Sequence, residues 1–581
     1  MISQEKGWFE HALIQQIYPL TFNAPNGGYG TLRGVIDKLD YVKDLGVDAV
    51  WLSPFFKSSL KKSLGYNVTS YTEIEPTFGT MKDCDDLIKG IHDRSMAVIF
   101  DMVFSHTSDE NPWFKASEDP RHPEHAKYKD FYVWADRKSG STVENPEPPN
   151  NWKTTTPFDN DFSAWKWSPK RQQYYFHNFA YNTPDLNLYN KAVVDELKQV
   201  LKFWIDKGVD GFRLDAIPYF THREDLKDTE FPEGEVNVLK FEHQLMQPRT
   251  PEVLKELCVY AKELGKKKDG KNIFLLGEVS LDSPTLEERE KAERPDFVSG
   301  YDYAAMLVRA GAVDQAFTPV LWGGPKGALV TQIKMAAEAF MRRDEKGISA
   351  GLEGMDLAAE NHDISRVVQR WELLPGDADP QLQHRYAILA GKLSLSMPGS
   401  LCIFQGQELG LPDADVRKYL HREGEENAAK RAQCDPQDLA SSLYDFEGSR
   451  AMMPWSKEQV KVDNGWTGMP PGYVDFTPEN NPTLAAYKEF IKFRKQSKAL
   501  QEGNIEFIDN VPEDVIAFTR NADGDRRLCV FNFSQKEVTI DLPDGMKVGD
   551  NAKLTLPPIE GRVEEFTQRK VSPRAPAAAG R

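Results

Sequence analysis

Apolar positions along the first half of the chain recur in two alternating rhythms. Leu32, Val35, Ile36, Leu39, Val42 and Leu45 stand at helical spacing, so they share one face of a helix over residues 32–45. Short runs on either side, Gln16-Ile17-Tyr18-Pro19-Leu20 and residues 47–52, read as strands. The same alternation returns as a helix over 82–94, a strand over 96–103, a helix over 192–207 and a strand over 209–216. Strand and helix in repeated succession predict a parallel sheet with helices outside it.

Two stretches break the rhythm. Residues 106–190 are rich in Pro, Asn, Asp, Trp and Tyr, as in Glu147-Pro148-Pro149-Asn150-Asn151-Trp152, and read as an inserted, loop-rich domain. From about residue 511, short alternating runs around Val515 and Leu528 are punctuated by Asn521-Ala522-Asp523-Gly524 and Leu542-Pro543-Asp544-Gly545, the pattern of an antiparallel β domain. The end of the chain, from Pro573 to Arg581, lacks an apolar face and is expected to be a disordered tail. The division expected is a catalytic domain in two parts, 1–105 and 191–500, an insert at 106–190, a C-terminal β domain at 501–568 and a tail at 569–581.

Composition narrows the partners. A chain of 581 residues suits two or three domains, and 40% hydrophobic with 28% charged residues describes a globular protein. The formal charge of −17 argues against nucleic acid or an acidic membrane surface, which need a basic patch; an uncharged small molecule fits better. Cys84, Cys258, Cys402, Cys434 and Cys529 are odd in number, scattered and never paired as CxxC, which speaks against a disulfide framework or a zinc site and for a reducing compartment. Neither a signal-peptide core nor a run of about 18 apolar residues is present, so a cytoplasmic location is expected.

The candidate chemistry lies where acidic residues interrupt apolar strands. In Gly208-Val209-Asp210-Gly211-Phe212-Arg213-Leu214-Asp215-Ala216, a strand's period of two puts Arg213 and Asp215 on one face. An arginine there holds a carboxylate ionised, as a nucleophile requires, although a structural ion pair would look the same. Leu275-Leu276-Gly277-Glu278-Val279 carries one acid at the end of an apolar strand, a candidate proton donor or, alternatively, a glutamate reaching solvent. Glu360-Asn361-His362-Asp363-Ile364-Ser365-Arg366 and Asp101-Met102-Val103-Phe104-Ser105-His106 are two further clusters; an N-cap at Asp363 is the mundane alternative. The four fall at the C-terminal ends of what would be strands three, four, five and seven of an α/β fold, a (β/α)8 TIM barrel, the end at which such barrels carry chemistry. Two carboxyls about 5–5.5 Å apart are what glycoside cleavage with retention of configuration needs.

With these clusters, Gln16-Ile17-Tyr18-Pro19, Gly65-Tyr66-Asn67, Thr183-Pro184-Asp185-Leu186-Asn187 and Gln405-Gly406-Gln407-Glu408-Leu409-Gly410, the chain resembles the α-amylase superfamily, glycoside hydrolase family 13, and within it the α-glucosidase and oligo-1,6-glucosidase group. The resemblance implies Asp215 as nucleophile, Glu278 as general acid/base and Asp363 as the third essential carboxylate. It implies that Arg213, His106 and His362 line the same subsite, that Asp101 braces it, that Tyr66 is the platform under the sugar, and that Asn67, Arg366 and Arg450 bind substrate. Phe176, in the aromatic run from Tyr174 to His177, is a further stacking candidate, with a place in the insert core as its alternative.

Three departures stand out. The segment from Asn23 to Thr31 has no carboxylate where many relatives carry an Asp-rich calcium loop, so no calcium is expected there, and no cofactor or metal elsewhere; the His122-Pro123-Glu124-His125 run reads as a solvated loop. Asn67 stands where relatives have aspartate, beside a retained Arg450. Ser105 replaces the usual asparagine before histidine, and Ala216 follows the nucleophile where α-1,6-specific members have valine. The expected function is retaining hydrolysis of short α-glucosides, including sucrose, malto- or isomalto-type sugars or a small-aglycone glucoside such as glucosylglycerol. A transglucosylase of the amylosucrase or isomaltulose synthase kind would use the same carboxylates. A non-catalytic interaction protein is disfavoured by the three acids present.

Overall fold

The computed structural model describes residues 2–25, 28–59, 65–158, 161–230, 243–279, 300–318, 321, 328–373, 379–414, 448–461 and 470–568. The expected tail, Cys434, and Asn26 and Gly27 of the loop after the first strand lie outside them.

Eight parallel strands close on themselves: β1 (Leu13–Ile17), β2 (Ala49–Leu52), β3 (Ala97–Met102), β4 (Gly211–Leu214), β5 (Phe274–Glu278), β6 (Gln315–Thr318), β7 (Met355–Ala358) and β8 (Ser400–Phe404), each paired with its neighbours in sequence and β8 with β1. The helices between and after them include α1 (Leu39–Leu45), α2 (Met81–Asp93), α3 (Lys191–Lys207), α4 (Arg249–Asp269), α5 (Gly300–Arg309), α6 (Ala328–Met341), α7 (Pro380–Ser394) and α8 (Pro482–Gln496). This is the TIM barrel expected from the alternation.

Local chemistry explains the helix limits. Thr80 and Asp83 form a reciprocal capping box at the start of α2, and Asn190 accepts from Ala192 N–H to start α3. Gly208 ends α3 in the left-handed region at φ 107°, where glycine carries no Cβ penalty. One stripe of α3, including Val193, Leu197, Leu201, Trp204 and Ile205, is buried against the sheet. Each such aliphatic side chain contributes about 1.5–3 kcal/mol by leaving water.

Some boundaries differ from the sequence reading. The strand expected over 16–20 is β1, which ends at Ile17; Pro19 opens a helical turn, Pro19–Phe22, because its fixed φ and missing N–H suit a first helical position. The helix expected over 32–45 is broken into Leu32–Ile36 and α1 at Asp37 and Lys38. The strand expected over 209–216 contracts to β4, since Ala216 takes a left-handed backbone at φ 45°.

Inside the barrel, Ile14, Trp51, Ile99, Phe274, Leu276, Phe317, Ala358 and Cys402 pack as a cluster distinct from the larger core under the helices. The interior is therefore filled with side chains. Toward the C-terminal ends of the strands it turns polar, with Gln16, Asp101, Arg213 and Glu278 all buried.

Between β3 and α3 the chain makes an antiparallel excursion in which Trp134–Ala135, Gln173–Phe176 and Trp165–Ser168 form a sheet around Trp152, Trp165 and Phe176. Departure and return are held together: His106 bridges Asp185, Tyr132 bridges Leu186, and Leu186 N–H donates to Ser105 O. After the barrel, β9 (Asn504–Phe507), β10 (Val515–Ala522), β11 (Asp525–Asn532) and β12 (Glu560–Glu565) form an antiparallel sheet. The β10–β11 turn places Asp523 and Gly524 at positive φ, as a two-residue hairpin requires. The buried Arg520 and Arg494 guanidiniums tie this sheet and α8 to the barrel through the carbonyls of Leu395, Ser396 and Met397. Among the described residues no helix is long and apolar enough to cross a membrane.

Candidate active site

Three strands bring three carboxylates to one guanidinium. Arg213 on β4 pairs in register with Asp101 on β3 and Leu276 on β5, so its side chain stands beside theirs. Fully buried over the Trp51 ring at 5.1 Å, it donates from one nitrogen to Asp215 at 2.6 Å and Asp101 at 2.8 Å, and the other lies 2.7 Å from Glu278 Oε2. Ala216 N–H, turned by the left-handed backbone that ends β4, donates to the same Glu278 oxygen at 2.8 Å.

One cation among three buried acids leaves the cluster short of positive charge. Burial pushes the Asp101 carboxyl up to about 6 against the pull of Arg213. Burial also lifts Asp215 well above the ordinary range, opposed by Arg213 and reinforced by Glu278 and Asp101. The cluster thus retains a proton where isolated carboxyls would lose theirs, a property of the group and not of one member.

The loop after β7 supplies the opposite wall. His362 is fully buried, its ring stacked on Tyr66 with centroids 5.3 Å apart. Its Nδ1 lies 2.7 Å from Gln16 Nε2 and its Nε2 hydrogen-bonds the Tyr66 hydroxyl. That hydroxyl reaches Asp101 Oδ2 at 3.1 Å, which also accepts from Trp51 Nε1 at 3.2 Å. Burial, aided by Arg450 and Arg213, holds the His362 imidazole well below its ordinary value and hence neutral. Asp363 is half-exposed; it accepts from Arg450 at 2.6 Å and lies 3.3 Å from His362 Nε2.

Asp101, Arg213, Asp215, Glu278, Tyr66, His362, Asp363 and Arg450 are thus brought together. His106 stands at the same mouth, its Nε2 donating to Tyr66 O at 3.1 Å and its Nδ1 2.9 Å from Ser105 Oγ; burial pulls it down to about 4, so it is neutral, with Ser105 as donor. Asn67, beside Tyr66, is fully buried, and its side-chain amide makes no hydrogen bond among the described residues.

Two expected substrate-binding residues stand elsewhere. Phe176 packs into the insert core against Trp152, Trp165 and His222, since its strand faces that way; the ring meeting His106, at 5.3 Å, is Phe179. Arg366 is buried beneath the loop, donating to Glu360, Gln405 O and Ser449 O. It braces the segments that carry Asp363 and Arg450. Gln16, Trp51 and Phe179 escaped the sequence reading, although the amide pair Gln15-Gln16 inside an otherwise apolar strand is a visible signal for Gln16. His122 Nδ1 accepts from Glu124 N–H and His125 Nδ1 lies 2.9 Å from Ala116 O, and Asn23 donates its amide to Gly34 O. Among the described residues no three His, Cys, Asp or Glu side chains are arranged to hold a metal ion.

Barrel, insert and acid cluster together define a glycoside-cleaving enzyme. Residues 16–503 match the α-amylase catalytic domain and residues 505–556 the C-terminal domain of maltogenic amylase. The chain belongs to the α-amylase family, glycoside hydrolase family 13, and is a glycoside hydrolase of the α-glucosidase type. It is 32% identical to a probable alpha-glucosidase of Rhizobium meliloti, over 98% of this chain and 96% of that one. It is 30% identical to an oligo-1,6-glucosidase of Parageobacillus thermoglucosidasius, over 93% of each. The crystal structure of an alpha-glucosyl transfer enzyme superposes with a TM-score of 0.78 at 29% identity, covering 97% of this chain and all of the other.

Proposed function

We propose that the protein hydrolyses short α-glucosides with retention of configuration by double displacement. The observation that carries this reading is the sharing of Arg213 by Asp215 and Glu278. Two carboxyls held to one guanidinium favour the close spacing of retention, about 5–5.5 Å, over the wider gap that admits a water.

Asp215 attacks the anomeric carbon while Glu278 gives its proton to the departing glycosidic oxygen, so one C–O bond forms as another breaks. Water then attacks the glucosyl ester, passes its proton to Glu278 and frees Asp215. Asp363, with Arg450, binds sugar hydroxyls more tightly in the distorted transition state. Tyr66 and His106 shape the pocket floor, and Asn67 offers a neutral amide to the terminal sugar. The substrates expected are sucrose, malto- or isomalto-type sugars and small-aglycone glucosides such as glucosylglycerol. No residue of the mechanism calls for a metal or cofactor.

Product anomer followed by NMR from the first turnover is the test. Release of the α-anomer supports the proposal, and the β-anomer overturns it. The similarity to an alpha-glucosyl transfer enzyme favours one second reading, in which a sugar acceptor resolves the glucosyl ester. Transfer predominating at low acceptor concentration would establish it.

A further inference from the structure

Gln16 lies on β1 inside the barrel, fully buried, and the mechanism above gives it no part. Its Nε2 is 2.7 Å from His362 Nδ1 and 3.5 Å from Ser53 Oγ, while Oε1 has no hydrogen-bond partner among the described residues. An amide nitrogen only donates. His362 Nδ1 is then an acceptor and, in a neutral ring, the proton sits on Nε2. There it faces the Tyr66 hydroxyl oxygen and, at 3.3 Å, Asp363 Oδ2, both able to accept. The hydrogen of Tyr66 is left for Asp101 Oδ2 at 3.1 Å.

Which way an amide points is assigned from its surroundings, and the reverse placement is the less favourable of the two. It would leave both amide hydrogens buried without acceptors and move the ring proton to Nδ1. The Tyr66 hydroxyl would turn to His362 Nε2, taking a donor from a carboxylate buried to the last atom. A bare imidazole nitrogen would then face Asp363. Stranding the buried amide nitrogen costs about 1–3 kcal/mol; Asp101 Oδ2 would keep only Trp51 Nε1 as donor, and half-exposed Asp363 would lose the N–H that faces it.

We propose that Gln16 is a positioning residue that sets the tautomer of His362 and, through Tyr66, the orientation of Asp101 against Arg213. The relay runs Gln16 Nε2–H to His362 Nδ1, His362 Nε2–H to Tyr66 Oη, and Tyr66 Oη–H to Asp101, whose other oxygen receives Arg213 at 2.8 Å. Arg213 is the group that Asp215 and Glu278 share, so a residue on the first strand governs the geometry of acids on the fourth and fifth. Outer partners that orient a metal-binding histidine typically change affinity or activity about 10–100-fold when removed, and an effect toward the lower end of that range is expected for His362, whose proposed role needs no metal.

The kinetic consequence rests on the α-glucosidase reading; the tautomer does not. Long-range 1H–15N correlation spectra of histidine-labelled protein, with the His362 signal identified by its loss in His362→Asn, read the ring directly without substrate. The expected wild-type ring is protonated on Nε2. Gln16→Glu, whose carboxylate can only accept, moves the proton to Nδ1. Gln16→Met removes the donor at similar volume and lowers kcat about tenfold with little change in KM or melting temperature. A wild-type ring protonated on Nδ1 overturns the proposal whatever the substrate. So does Gln16→Met, the variant to rely on should Gln16→Glu not fold, if it keeps both the Nε2–H ring and an unchanged kcat. Absence of glucosidase activity would sink the functional reading and leave the spectral result to decide this one.

Discussion

Two aspartates bracket the four residues of β4, and their surroundings are opposites. Asp210, at the floor of the barrel, is fully buried beside a lysine and an imidazole, with His92 Nε2 and Lys271 Nζ each 2.7 Å away, and accepts from Val98 N–H at 3.0 Å. Although burial opposes it, these partners hold the Asp210 carboxyl below its ordinary value. Asp215, at the mouth, shares one guanidinium with two other acids and is pushed up. Burial is common to both. The ratio of partners to carboxylates separates a strut from a site: an acid with a cation and further donors of its own is locked in one charge state, and one that shares its cation with other acids is poised between two.

Four measurements break or sharpen that contrast. Asp215→Asn should lower kcat by at least about 10³-fold with the melting temperature unchanged or raised, since it relieves a crowded cluster; steady-state kinetics and calorimetry together decide it. Lys271→Met should do the reverse, leaving the mouth intact but costing about 3–5 kcal/mol of stability by stranding a buried partner, which urea unfolding measures. If Lys271→Met instead loses activity at full stability, floor and mouth are not separable.

The third measurement concerns pH. A depressed carboxyl such as Asp210 adds stability above its unfolded value of about 3.9 and loses it as pH falls through the lower folded value. Asp101, raised to about 6, has the opposite sign: the folded chain binds this proton more tightly, so stability drops as pH rises from about 4 to about 6 and is then level. Melting curves should therefore show Asp210→Asn flattening the slope below about pH 4 and Asp101→Asn flattening the one between about 4 and 6. Identical slopes in both variants would refute the assignment. The smallest effect is expected from Phe176→Leu, about 1–3 kcal/mol of stability and no change in KM, because the ring packs within the insert.

The barrel was legible because its helices show one apolar stripe and its buried strands are short apolar runs, signals of burial that need no partner to be named. The acid cluster was legible for the inverse reason, as polar residues ending such runs. What escaped depends on which way a side chain faces across several elements. Phe176 and Phe179 sit three residues apart in one aromatic segment, and only the fold decides which meets His106. Arg366 and Arg450 are both arginines near the same loop, yet one is spent on carbonyls below it and the other reaches Asp363. Gln16 drew no role from the sequence because its partner, His362, is 346 residues away.

The bridges joining His106 to Asp185 and Tyr132 to Leu186 bear on how such an enzyme can be altered. Because the excursion leaves and rejoins the barrel at adjacent points, the closure entropy grows only slowly with its length. The segment is in effect a detachable cassette. Its interior can be lengthened, shortened or exchanged to reshape the rim over the carboxylates, provided the two bridging pairs are kept together with its ties to the segment after β4, Asn150 to Leu226 O and Trp152 to Lys227 O.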